Sequence, residues 1–198
     1  MIALSPSPAF AQALWLVAAT MAAGSLHVLW LKSRLSAPFR RPLDGGRHWR
    51  GRPLLGRNKT LAGLMAMPPA TGLCFAAVGS LRPHLPAWLE AGTWNLPLAA
   101  YAALGFTAGL AFMLAELPNS FLKRRLGIGV GEAAPQGLRR WLLMALDRCD
   151  STFGVLVVLT LAVPMAAATW LWVLLMGPAA HALFSLWLRI LGVKGRAL

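Results

Sequence analysis

LPLAAYAALGFTAGLAFMLAEL, residues 96–117, decides the fold. It holds one charged residue, Glu116, at its far end, and the basic cluster Lys123-Arg124-Arg125 follows closely. A helix of about 20 apolar residues crosses the hydrocarbon core of a bilayer. This run therefore reads as a transmembrane helix that meets a charged boundary at Glu116.

Four more apolar runs lie around it, at about 10–31, 61–81, 152–176 and 179–191. The run at 61–81 carries Pro68-Pro69, which predicts a kink. The fourth contains Pro164, and the fifth is short enough to be tilted or only partly spanning. The expected fold is an all-α integral membrane protein with about five transmembrane helices, a single membrane domain over 1–198. Composition agrees, since 58% of the 198 residues are hydrophobic and 13% are charged. Soluble domains carry about 25% charged residues, so a disordered chain is excluded and a soluble enzyme is disfavoured. Residues 1–9 contain no Lys or Arg. The cationic start of a cleavable signal is missing, and the first run is expected to stay as a span. Cys74 and Cys149 suggest neither a disulfide framework nor a zinc site.

The charge balance is lopsided, with 19 basic residues against 6 acidic ones. In a soluble protein this would suggest nucleic acid. Here 18 of the 19 fall on one side of a five-span arrangement, in the loops at about 32–60 and 118–151 and in the C-terminal tail; Arg82 is the exception. Cytoplasmic loops are the ones enriched in Lys and Arg. The expected topology has the N-terminus outside and the C-terminus cytoplasmic, in the plasma membrane, with no nucleic-acid partner. Both cytoplasmic loops are long and lack clear secondary structure, which marks functional segments.

Six carboxylates can be weighed singly. Glu90 and Glu132 read as solvated loop residues, and Asp44 opens Pro-Leu-Asp-Gly-Gly-Arg. Asp147 and Asp150 are spaced i, i+3, and Glu116, Ser120 and Lys123 are spaced i, i+4, i+7. Each set shares a helix face, and both lie at the same membrane depth. Together they offer hard oxygen ligands suited to Mg²⁺, in a cationic surround suited to a polyphosphate. Salt bridges from Arg139, Arg140 or Arg148 to the acidic pair are the plainer reading. Gly51–Thr60 falls short of a P-loop, because two extra residues separate Gly56 from Lys59 and no strand precedes it. His27, His48, His84 and His181 are scattered and read as structural, and the tryptophans fit an interfacial belt.

The motifs resemble a known group. Ser120-Phe-Leu-Lys-Arg-Arg-Leu-Gly-Ile128 followed by Leu146-Asp-Arg-Cys-Asp-Ser151 is similar to the signature of CDP-diglyceride synthetases. The shorter CDP-archaeol synthase branch is resembled in three places: Pro42–Thr60, Glu116–Ile128 and Asp147–Ser151. The chain has Ala115-Glu116-Leu117 where that family usually has Gly-Asp-Leu, and Arg50-Gly51 where it has Asp-Gly.

The resemblance implies transfer of a cytidylyl group from CTP to a lipid phosphate, either phosphatidate or an isoprenoid-ether phosphate, with Mg²⁺ as cofactor. It implies Glu116, Asp147 and Asp150 as metal ligands and Lys59, Thr60, Ser120, Lys123 and Arg124 at the nucleotide. Lys123, Asp147 and Asp150 then form the catalytic set, with the lipid tails in a groove between spans. A CTP-dependent polyprenol kinase and a small transporter or assembly factor are the alternatives. A transporter would place polar groups near the midplane, and here they sit at span ends.

Overall fold

The computed structural model describes residues 6–132 and 136–190. Five long helices form a bundle: α1 (Pro8–Lys32), α2 (Leu61–Leu81), α4 (Leu98–Arg125), α5 (Leu138–Ala162) and α6 (Ala167–Ile190), with a single-turn α3 (Ala87–Glu90) before α4. Local chemistry sets several of the starts. Ser7 caps α1 by accepting from Phe10 N at 3.3 Å, with Pro8 in the first turn, and Thr60 caps α2 by accepting from Gly63 N at 3.4 Å.

Where the sequence predicts one span over about 152–176, the chain makes two helices. α5 stops at Ala162, Val163 is extended, and α6 begins at Ala167. A proline disfavours helical backbone in the residue before it, and the Pro164 carbonyl is held in the turn by the Trp94 indole N–H at 3.1 Å. The helix expected to be short, at about 179–191, is the second half of the 24-residue α6. The end of that run, and Lys194 and Arg196 of the basic tail, lie outside the described residues. The loop expected over about 118–151 is largely helical, because α4 continues through Pro118 to Arg125 and α5 starts at Leu138.

Small residues bring the helices together. A Cβ on Gly105 would lie 2.5 Å from Thr71 O, and one on Gly109 would lie 2.8 Å from Met67 O, so α4 seats directly on α2. Gly154 does the same for α5 on α4, where a Cβ would meet that of Ala115 at 2.5 Å. Close backbone approach through small residues is how helices associate in lipid. Large apolar side chains face outward instead: Leu29, Leu73, Leu161 and Leu175 are all exposed. Among the described residues, three helices (α1, α2 with its short extension to His84, and α4) are long and apolar enough to cross a membrane. After Asp150, α5 has only residues 151–162 as its apolar part, about 18 Å at 1.5 Å per residue.

At one end of the bundle sits an aromatic core of Trp15, Phe75, Trp94 and Tyr101. Trp15 meets Phe75 and Trp94 edge-on at 5.2 and 5.1 Å. Its indole N–H donates to Gly92 O at 3.0 Å, while the Tyr101 hydroxyl donates to Trp94 O at 2.7 Å and accepts from Trp94 N at 3.0 Å. The other end carries the first long connection, residues 33–60, which folds back on α4.

Candidate active site

The connection before α2 is built, not loose. Arg34–Phe39 forms a 3-10 helix, and His48–Trp49 (β1) pairs antiparallel with Arg52–Pro53 (β2). The two residues between the strands, Arg50 and Gly51, both have positive φ, at 52° and 74°. This is the backbone of a two-residue hairpin turn that favours Asn-Gly or Asp-Gly. Trp49 stacks on Phe121 of α4 at 5.8 Å, and the Arg125 guanidinium lies over both rings while donating to Trp49 O. The Arg52 guanidinium donates to Arg125 O, closing the end of α4.

Asp44 pins the rest of the segment. Its Oδ1 accepts from Gly46 N at 2.9 Å, and its Oδ2 accepts from Leu55 N at 2.9 Å and Gly56 N at 3.3 Å. Burial pushes this carboxyl up, but the amides of Leu55, Gly46 and Gly56 outweigh it and hold the carboxyl below the usual aspartate range. The strand-like contacts Leu43 N to Lys59 O (2.8 Å) and Leu61 N to Arg41 O (2.9 Å) then fix the backbone of Lys59 and Thr60 at the start of α2.

Those contacts deliver Lys59 to Glu116. The two form an ion pair in which neither side chain is more than a quarter exposed. From there a continuous chain of polar contacts crosses from α4 to α5. Ser151 Oγ donates to Glu116 Oε1 at 3.0 Å and lies 3.1 Å from Asp150 Oδ1. Asn119 Nδ2 donates to Asp150 Oδ2 at 2.8 Å and to Asp147 Oδ1 at 2.6 Å. Asp147 ends the chain in an ion pair with Lys123. Three carboxylates are thus held side by side, with a lysine at each end and neutral donors between them. The partner of Asp147 is Lys123, in place of the Arg139, Arg140 or Arg148 bridges expected from sequence.

The expected site residues take different places. Lys59, Glu116, Asp150, Asp147 and Lys123 fall along this one chain of contacts, and Thr60 sits beside Lys59. Ser120 is buried and has no hydrogen bond to the carboxylates among the described residues; Asn119, its neighbour, bridges them. Arg124 is 6% exposed, and its guanidinium donates to Leu55 O and Ile128 O, so it braces the first loop against α4. Sequence reading missed Asn119 and Ser151. Their signal was present, since Asn119 lies i+3 from Glu116 and i−4 from Lys123, and Ser151 closes the Asp-Arg-Cys-Asp-Ser motif.

A cavity of about 300 Å³ opens beside this chain. Lys59, Thr60, Glu116, Asp147 and Ser151 line its polar end. Leu16, Val17, Met67, Phe112, Val155 and Leu156 line the shaft that runs on between the helices. One space therefore joins a charged mouth to an apolar interior. Among the described residues, no three carboxylates, histidines or cysteines converge on one point. Thr60, Glu116, Asp147 and Ser151 nonetheless offer oxygen donors at the mouth, and Asn119 Oδ1 is buried with no partner. That set suits a hard cation that uses one or two carboxylates and completes its shell with water and phosphate.

A protein named CDP-archaeol synthase from Halobacterium salinarum is 38% identical over 125 residues, 63% of this chain and 61% of that protein. Another of that name from Hyperthermus butylicus is 38% identical over 119 residues, 60% of this chain and 57% of that protein. A third, from Halorubrum lacusprofundi, is 41% identical over 96 residues, 48% of this chain and 51% of that protein. The chain spans about half to three fifths of the length of the relatives it matches. No family profile and no solved structure matches it.

Proposed function

We propose that this chain, whose place in the CDP-archaeol synthase family these relatives support, transfers a cytidylyl group from CTP to the phosphate of a membrane lipid. One observation carries the reading: one cavity joins Lys59, Glu116 and Asp147, members of the polar chain, to an apolar shaft. A phospholipid has that same division into an anionic head and apolar tails. The polar end is read as facing the cytoplasm, where CTP is dissolved.

The chemistry asks little of a protein base. A lipid phosphate is already anionic near neutral pH. One of its oxygens attacks the α-phosphorus of CTP and forms a new P–O bond. The bond from that phosphorus to the bridging oxygen of the β-phosphate breaks, and pyrophosphate leaves with the electron pair. Positioning and charge stabilisation are the main contributions to such transfers. Lys59, at the cavity and beside the start of α2, is placed to exchange Glu116 for a triphosphate oxygen. Lys123 holds Asp147 toward Asn119. One or two of Glu116, Asp147 and Asp150 would hold Mg²⁺, which would supply charge neutralisation at the triphosphate when bound. Arg124 and Asp44 act at one remove, by keeping the first loop folded.

The test uses purified protein, Mg²⁺, a panel of lipid phosphates including phosphatidate and an isoprenoid-ether phosphate, and CTP labelled at either the α- or the γ-phosphate. The expected result is α-label in the lipid and release of pyrophosphate. Label entering the lipid only from the γ-phosphate would identify a kinase and overturn the reading.

A further inference from the structure

We propose that His27 binds the phosphate of the lipid acceptor and sets the enzyme's affinity for it. This rests on the cytidylyl-transfer reading and adds a residue that neither the motifs nor the carboxylate chain contains. His27 lies on α1 and lines the same cavity as Lys59 and Glu116. Its Nε2 is buried and has no hydrogen-bond partner. Buried polar atoms are almost always partnered, and this orphan belongs to a ring that lines the cavity.

Its surroundings narrow what that is. A Cβ on Gly63 would lie 3.5 Å from His27 Nε2 and 3.9 Å from Thr60 Oγ1. The bare glycine at the first turn of α2 thus lets the imidazole and the capping threonine lie close together, with Met113 Cε 3.2 Å from the same point. Glu116 and Lys59 are the charged groups that act on the ring. On α1 itself, Gly24 has nothing within 4 Å of where its Cβ would be, which leaves room one turn further in. His27 is five residues from Lys32 at the end of the helix, about 7.5 Å inward at 1.5 Å per residue. It therefore sits between the charged mouth and the apolar shaft. A lipid with its tails in the shaft reaches that level with its phosphate, whereas a nucleotide entering from water meets Lys59 and the carboxylates first. An imidazole N–H donating to a non-attacking phosphate oxygen would hold the nucleophile without the tight pairing of a lysine.

The experiment measures KM separately for lipid phosphate and for CTP with the full-length wild type, His27→Leu and His27→Gln. Loss of a hydrogen bond to a charged group weakens binding about ten- to a hundred-fold. His27→Leu is expected to raise KM for the lipid by that factor and leave KM for CTP unchanged. His27→Gln keeps a side-chain N–H and is expected to stay within about three-fold of wild type for the lipid. An unchanged lipid KM in His27→Leu, or an equal rise for both substrates, overturns the assignment. So does an equal loss in His27→Gln, which is also the informative variant if His27→Leu does not fold. Absence of any CDP-lipid from the wild type would overturn the transfer itself, and His27's role with it.

Discussion

The two ends of the bundle are built on opposite principles. At the aromatic end, Trp15, Trp94 and Tyr101 each place their polar atom on a main-chain partner. At the other end, carboxylates and lysines crowd together, and both His27 Nε2 and Asn119 Oδ1 are buried without a partner. At the first end the polar atoms of the rings are satisfied within the fold, although Arg82 Nε is buried there without a partner. The second is incomplete in the way a binding site is incomplete. The difference teaches that stability and chemistry are segregated along the helix axes, with the Gly105, Gly109 and Gly154 contacts as the rigid part between them.

Substitutions should separate the two ends. Asp150→Ala is expected to reduce CDP-lipid formation by about 100- to 1,000-fold, with a thermal midpoint within a few degrees of wild type. Wild-type turnover in that variant would remove Asp150 from the site. Trp15→Ala should do the reverse, costing about 3–5 kcal/mol of stability while KM for CTP in the surviving folded fraction stays put; unfolding in detergent micelles measures it. A loss of CTP affinity larger than the loss of stability would show that the ends are coupled.

Asp44 gives a smaller effect with a defined sign. Its folded carboxyl lies below the usual range, so its contribution is present above the unfolded value of about 3.9. That contribution is lost as pH falls through the depressed folded value. Protease cleavage within residues 40–57 should rise at the acid end of that window in the wild type, and Asp44→Asn should flatten the rise. A steep change near neutral pH would assign the loop's stability to another group. The smallest effect is expected at Arg50, a non-glycine residue at φ 52°. Arg50→Asn should stabilise the hairpin by about 1 kcal/mol with activity unchanged.

Much of this was legible in the sequence. The apolar runs over α1, α2 and α4 are long and uniform, and scarce acids among many bases single out Glu116, Asp147 and Asp150. The break at Pro164 was not legible, because Pro68, Pro69, Pro118 and Pro178 all lie inside helices. Proline in an apolar helix is therefore no stop signal by itself, and the turn after Val163 includes a contact from the distant Trp94 that spacing does not reveal. Two-residue strands carry no period to read, so the Arg50-Gly51 turn was hidden. Asn119 and Ser151 were missed because their roles exist only once α4 and α5 lie side by side. Spacing along α4 favours Ser120 equally well until the partner helix is known.

The most direct measurement is photocrosslinking of a base-reactive CTP analogue to the full-length protein, followed by peptide mapping. Label is expected in peptides covering residues 40–60 and 116–151, and it should fall when unlabelled CTP competes. Label concentrated in 82–97 or 163–170, at the aromatic end, would contradict a nucleotide site at the carboxylate chain.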